Sequence, residues 1–184
     1  MRDEDAELCR AAREGDHDAA SQLVSRHYKR IYAYFARLAP PDDAEDLTQR
    51  TFSKVWEALA SFSGKSSFST WVHGIAHHVY VDWRRKRNLL DPQPLEWWDS
   101  CSAETPSPFE SAAERDEVLC LYRWVDQLDA DSRELVHLHY YQGLTLRELS
   151  EALQIATSTV KYRLRQAIDQ LHARAAAAPL QSFR

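Results

Sequence analysis

The feature that most limits what this chain can fold into is the stretch from Asp91 to Ala112, DPQPLEWWDSCSAETPSPFESA. It holds four of the seven prolines and five acids (Asp91, Glu96, Asp99, Glu104 and Glu110), with no Lys or Arg. Proline lacks an amide hydrogen and fixes φ, so a regular helix or sheet does not continue through such a segment. The 184 residues are therefore read as two small domains, 1–90 and 113–174, joined by a linker over 91–112 and followed by a tail over 175–184. Removing the linker's five acids leaves 23 acidic against 23 basic residues. The net charge of −5 thus resides in the connector and says nothing against nucleic-acid binding by either flanking module.

Within both modules the apolar residues recur at helical spacing. Leu23, Val24, His27, Ile31, Tyr34, Phe35 and Leu38 form one stripe, which Pro40-Pro41 ends. A second helix, capped by Asp42 or Asp43, places Leu47, Thr51, Val55 and Leu59 together. The loop SFSGKSSFS, Ser61 to Ser69, breaks the pattern. A third helix follows with Trp71, Ile75, Val79 and Trp83 inward, and it ends in the basic run Arg84-Arg85-Lys86-Arg87. In the second module Val118, Leu121, Val125 and Leu128 precede Leu135, Leu138 and Tyr141, the latter group behind an Asp131-x-x-Glu134 capping box. A second box, Thr145-x-x-Glu148, opens a helix bearing Leu149 and Ala152. After a turn over Leu153 to Ala156, the last helix turns Val160, Leu164, Ile168 and Leu171 inward. Short helix, tight turn and basic helix make a helix-turn-helix signature. With only four glycines and no alternating strand pattern, the expected fold is all-α: an N-terminal helical bundle and a C-terminal helix-turn-helix domain.

Composition narrows the function classes. At 44% hydrophobic and 28% charged the chain falls in the globular range, no run approaches the roughly 18 apolar residues of a membrane span, and the acidic start opposes a secretory signal. A cytoplasmic protein with no membrane insertion is expected. Cys9, Cys101 and Cys120 are widely spaced and form no C-x-x-C pair, so reduced thiols are expected.

Three features bear on chemistry. Thr157, Ser158 and Thr159 open the last helix with hydroxyls and free amides suited to phosphates, and Lys161, Tyr162, Arg163 and Arg165 follow where base edges would lie; the competing reading is a solvated basic face. Phe62, Phe68, Trp71, Tyr80 and Trp83 are interleaved with Lys65 and the arginine run, a mixture suited to stacking unpaired bases, although Trp71 and Trp83 also fit a core. His73 and His77 stand one helical turn apart, but no third ligand or catalytic Glu accompanies them. No phosphate-cradling or nucleophile-elbow motif is present, so neither an enzyme nor a cofactor or metal site is expected.

Together these segments resemble an extracytoplasmic-function sigma factor, the small two-domain specificity subunit of bacterial RNA polymerase. Asp43 to Trp56 (DAEDLTQRTFSKVW) is similar to that family's core-binding stretch, Phe68 to Arg85 (FSTWVHGIAHHVYVDWRR) to its promoter-melting and minus-ten helix, and Leu128 to Ala167, with TSTVKYRLRQA, to its second domain. The resemblance implies core RNA polymerase and promoter DNA as partners, and admits an anti-sigma protein. It implies core binding by Asp46, Gln49, Phe52, Ser53 and Trp56; minus-ten DNA binding by Ser63, Lys65, Ser66, Ser67, Phe68, His78, Arg84 and Arg85; and minus-thirty-five binding by Thr157, Ser158, Thr159, Lys161, Tyr162, Arg163 and Arg165. The chain departs from the usual pattern at Arg50, Gly74, His78 and Gln154, where the family favours an acid, Arg, Asn and Gly. Two other readings stand beside this one: an independent helix-turn-helix regulator with a sensing or dimerising bundle, and a helical metal-dependent enzyme built on His73 and His77.

Overall fold

A computed structural model describes residues 2–90 and 120–177; the linker, Val118, Cys101 and the end of the tail lie outside them. The first element, α1 (Arg2–Arg13), buries Cys9 and Ala12 against α2 and was not anticipated from the sequence. Helix α2 (His17–Ala36) begins where the Asp16 carboxylate accepts hydrogen bonds from the Asp18 and Ala19 amides at 2.9 and 3.0 Å. Its buried stripe, Leu23, His27, Ile31, Tyr34 and Phe35, is the one the spacing predicts.

Helix α3 (Pro41–Ala58) corrects the expected cap: it starts at Pro41, behind Pro40, with no side-chain cap from Asp42 or Asp43. Proline at the first helical position is already set near helical φ and has no amide hydrogen to satisfy. The buried Thr48 and Thr51 hydroxyls donate to the carbonyls of Ala44 and Leu47, which removes the cost of burying them. A single 3-10 turn, Leu59–Ser61, leads to the loop before α4 (Phe68–Leu90). There the Ser67 hydroxyl accepts from the Thr70 amide at 3.1 Å and caps the helix. Val72, Ala76, Val79, Tyr80 and Trp83 pack inward from α4, while Trp71 and Ile75 are half-buried. Tyr34, fully buried, is the centre of this bundle, with Phe35 and Tyr80 edge-on at 5.0 and 6.4 Å.

The second module begins, as described, with a helical segment over 120–126, here α5. Asp129 rather than Asp131 caps α6 (Ala130–Val136), its carboxylate accepting from the Ser132 amide at 3.0 Å. The expected Asp131–Glu134 box is therefore absent, and Glu134 turns into the core instead, at 3% exposure. From His137 to Tyr141 the helix widens to a π turn, the Gln142 amide donating to the His137 carbonyl at 3.0 Å. This shift rotates Tyr141 outward, and Leu121 is likewise exposed, both against the expected inward pattern.

Helix α7 (Leu146–Leu153) opens on the predicted Thr145–Glu148 capping box, with both reciprocal bonds formed. It ends at Gln154, whose φ of 54° and ψ of 37° are left-handed, the conformation that glycine reaches at lower cost. The Ser150 hydroxyl holds the turn by donating to the Ile155 carbonyl at 2.7 Å. Helix α8 (Thr157–Ala177) buries Val160, Leu164, Ala167 and Leu171 against α6 and α7. Each fully buried leucine here, Leu135, Leu138 and Leu149 included, contributes about 1.5–3 kcal/mol by leaving water. The described residues contain no strand, and α4 of the first module packs directly on α7 of the second.

Candidate nucleic-acid and partner interfaces

Helix α3 has a sealed side and an open side. Ala44, Leu47, Thr48, Thr51 and Val55 face the bundle, whereas Asp46, Gln49, Ser53 and Trp56 are exposed. Asp46 takes an ion pair from Arg50 one turn on at 3.3 Å, and Gln49 donates to Glu45. Trp56 remains 47% exposed and stacks on His17 at 6.3 Å. Phe52, expected among the anchors, is buried instead and stacks on Tyr28 at 5.8 Å. Between α2 and α3 lies an apolar groove of about 140 Å³, whose walls include Leu23, Val24, Val55 and Trp56. The open side thus offers both polar groups and an aromatic ring beside an apolar recess, a surface suited to a partner helix.

In the loop before α4, Ser63 and Lys65 are exposed and Ser66 and Ser67 half-exposed. Gly64 adopts φ +73°, which lets the loop turn where a side chain would strain it. The Arg13 guanidinium donates to the Phe62 carbonyl at 3.3 Å and ties the loop to α1. The two phenylalanines are not a stacking platform in this structure. Phe62 and Phe68 are buried and close a ring cluster with Trp71, at centroid distances of 4.9 to 5.7 Å, because their apolar area finds the bundle before it finds solvent. Phe68 therefore supports the loop from beneath, and Ser67 is engaged as the α4 cap. His78 is exposed on α4, beside the His77 ring.

The basic end of α4 is partly engaged within the chain. Arg84 lies over the Tyr80 ring and donates to Asp131 of α6 at 2.8 Å, Arg85 pairs with Asp82, and Arg87 pairs with Asp43 at 3.1 Å. Burial opposes the charge on Arg84, but the hydrogen bond to Asp131 together with the acidic groups of Tyr80, Asp131 and Glu134 nearby outweighs it and holds its pKa above the ordinary value. Three buried histidines are driven the other way. Burial pushes His73 down to about 4, although its Nδ1 donates to the Ser69 carbonyl at 2.7 Å, and His137 down to about 3, helped by Arg37 and Arg133. Burial also lowers His27, which the Asp5 carboxylate at 3.1 Å opposes. All three rings are parts of the core.

The exposed face of α8 carries Thr157, Ser158, Lys161, Tyr162 and Arg165, with Thr159 and Arg163 half-exposed. Lys161 and Arg165 stand one turn apart. The Tyr162 hydroxyl accepts from Gln166 at 2.8 Å, and Arg165 reaches Asp169 at 4.0 Å. Arg163 departs from this group, lying 3.8 Å from Asp131. The first turn of α8 leaves amides without helical acceptors beside the hydroxyls of Thr157 and Ser158, the arrangement that accepts a phosphate.

Comparison with known proteins matches the same segments. Residues 23–89 match Sigma-70 region 2, and residues 124–173 match Sigma-70, region 4. The chain is 30% identical over 144 residues to the ECF RNA polymerase sigma factor SigX of Bacillus subtilis (strain 168), covering 76% of this chain and 74% of that one. Among solved structures it resembles CnrH in complex with the cytosolic domain of CnrY, with a TM-score of 0.69 at 26% identity over 95% of this chain and 98% of that one. It also resembles the sigma factor RpoE in complex with the anti-sigma factor NepR from Bartonella quintana, with a TM-score of 0.68 at 25% identity over 83% and 94% of the two chains.

Proposed function

The chain belongs to the extracytoplasmic-function sigma factors, and from that premise we propose how its surfaces divide the work of an alternative sigma factor that binds core RNA polymerase and directs promoter recognition. Residues 1–90 form the domain that meets the polymerase and the minus-ten element, residues 113–174 the domain that meets the minus-thirty-five element, and residues 91–112 connect them. The open side of α3, with Asp46, Gln49, Ser53 and Trp56, docks on the polymerase, and Phe52 shapes that helix from within. The loop residues Ser63, Lys65 and Ser66, with His78, Arg84 and Arg85, hold the unpaired minus-ten strand, while Ser67 and Phe68 set the loop's course.

In the second domain the first turn of α8 clamps phosphates, and Lys161 and Arg165, with Thr159 and Tyr162 beside them, enter the major groove. The contribution is binding and strand opening, with the phosphodiester chemistry left to the core enzyme, and the site of action is the cytoplasm. No helix among the described residues is long and apolar enough to cross a membrane. An anti-sigma protein is a further partner, on the precedent of relatives solved in complex with NepR and with the cytosolic domain of CnrY.

The observation that carries this reading is the α3 surface, which exposes four polar or aromatic side chains on one side of a helix whose other side is sealed. Its test is a titration of the purified chain against core RNA polymerase, with Asp46→Lys as the probe. Wild type should form a stable one-to-one complex, and the variant should bind at least tenfold more weakly with its helical circular dichroism intact. Equal affinity would remove Asp46 from the interface, and no complex with wild type would remove the function.

A further inference from the structure

Helix α1 reaches the loop before α4 at both of that loop's ends. At the C-terminus of α1, Arg13 Nη1 donates to the Phe62 carbonyl at 3.3 Å. Toward its N-terminus the buried Asp5 carboxylate accepts from His27 Nε2 at 3.1 Å and from the Arg26 guanidinium at 3.3 Å. Burial lowers the pKa of His27 from 6.5, so the ring is neutral at pH 7, and its one N–H is the one given to the carboxylate, which can only accept. That bond fixes the ring edge-on to Phe68, at a centroid distance of 5.1 Å. Between the two ties α1 is anchored by Cys9 and Ala12, buried against α2. All of α1 lies before residue 23, where the match to Sigma-70 region 2 begins.

Between these held ends, Ser63 to Ser66 form no helix or strand, and Gly64 stands at φ +73°. A short span with no backbone ladder of its own takes its path from its endpoints, so a shift of Phe62 or Phe68 carries Lys65 and Ser66 with it. We propose that α1 is a brace for strand capture, in which Arg13 at the Phe62 end and Asp5, through His27, at the Phe68 end are positioning residues that set the loop in the shape that selects a minus-ten base. The inference rests on the reading of Ser63, Lys65 and Ser66 as contacts to the unpaired strand. A recognition group must be held within about 0.5 Å of its working place. A loop freed at one end keeps the Lys65 charge that attracts any phosphate backbone, but it loses the geometry that tells one base from another.

The test uses the full chain assembled with core RNA polymerase. Each holoenzyme selects from one pool of randomised single-stranded oligonucleotides, and sequencing the bound fraction gives the enrichment of each base. Arg13→Ala should lower the strongest wild-type enrichment by about fivefold, the low end of what one base contact contributes to discrimination, and Asp5→Ala should do the same, with core-polymerase affinity unchanged. Partial unfolding would reduce how much DNA is bound but not which bases are enriched, because an unfolded molecule selects nothing. Arg13→Lys, which still donates toward the Phe62 carbonyl, should recover most of the enrichment. Arg10→Ala, which removes another exposed charge one turn earlier on α1, should leave it at the wild-type level. Wild-type enrichment in Arg13→Ala or in Asp5→Ala would overturn the brace, and so would an equal loss in Arg10→Ala, which would reduce the effect to charge. No enrichment by wild type would instead strike the base-capture reading itself, and the brace with it.

Discussion

Acid should unfold this protein early, and the two most depressed histidines set by how much. An ordinary histidine titrates near 6.5, whereas burial holds His73 at about 4 and His137 at about 3 in the folded chain. Between those values the unfolded chain binds a proton that the folded chain refuses, so stability is complete above pH 6.5 and falls as the pH drops. At pH 5 each ring costs about 2 kcal/mol relative to neutral pH, at 1.36 kcal/mol per unit of pKa difference, and the pair costs about 4 kcal/mol. That is a large share of the roughly 5–15 kcal/mol that keeps a domain folded.

The probe is His137→Phe. His137 is 1% exposed, neither ring nitrogen has a hydrogen-bond partner, and its ring lies 4.8 Å from that of Tyr141, so phenylalanine keeps the ring contact and removes the proton site. Urea unfolding followed by circular dichroism from pH 7.5 to pH 5 should show the variant losing about 2 kcal/mol less than wild type over that interval. Carboxylates supply the same background to both chains. Parallel curves would show that His137 is protonated in the folded state, and that burial does not control it.

Other outcomes follow from single positions. Gln154→Gly, at φ 54°, should raise stability by about 0.5–1 kcal/mol, read as a rise in Tm of several degrees; no rise would mean that the turn relieves the glutamine's strain. Arg165→Ala should cost roughly 1–3 kcal/mol in promoter binding by the holoenzyme and relax preference at one upstream base pair, as should Lys161→Ala, with both checked on promoters randomised upstream. If neither moves affinity or preference, α8 is a solvated face. Lys65→Ala with Ser66→Ala should lower permanganate reactivity of promoter thymines at equal occupancy, and leaving Ser67 in place keeps the α4 cap out of the comparison.

What was legible in the sequence was local. The buried stripes of α2 and α8, the Thr145–Glu148 box and the turn at Gln154 are each written within a few residues, because a helix repeats its faces every three or four positions and a cap needs only its own first turn. The rest depended on partners far along the chain. Glu134 has the spacing of a capping residue, and it is the Tyr34 hydroxyl and the His77 ring, 100 and 57 residues earlier, that make its burial tolerable. Phe62 and Phe68 have the composition of a base-stacking loop, yet composition does not tell an exposed ring from one closed over by Trp71. Helix α1, rich in charge, showed no long apolar stripe, since small residues such as Cys9 and Ala12 fill its contact with α2. The seating of α4 on α7 was hidden in a single residue, Gly74, whose meaning lies in what it leaves out.

The π turn from His137 to Tyr141 makes the aim of α7 and α8 a matter of chain length as well as of side chains. A π turn is an α-helix that has swallowed one residue, so losing any one of these five would let ordinary i to i+4 bonding resume. Everything downstream would then swing by about 100° about the α6 axis, the angle of one residue step. On the proposed docking of α8 in the major groove, substitutions along that helix would change which bases are read, whereas one residue lost from this bend would turn the helix as a whole.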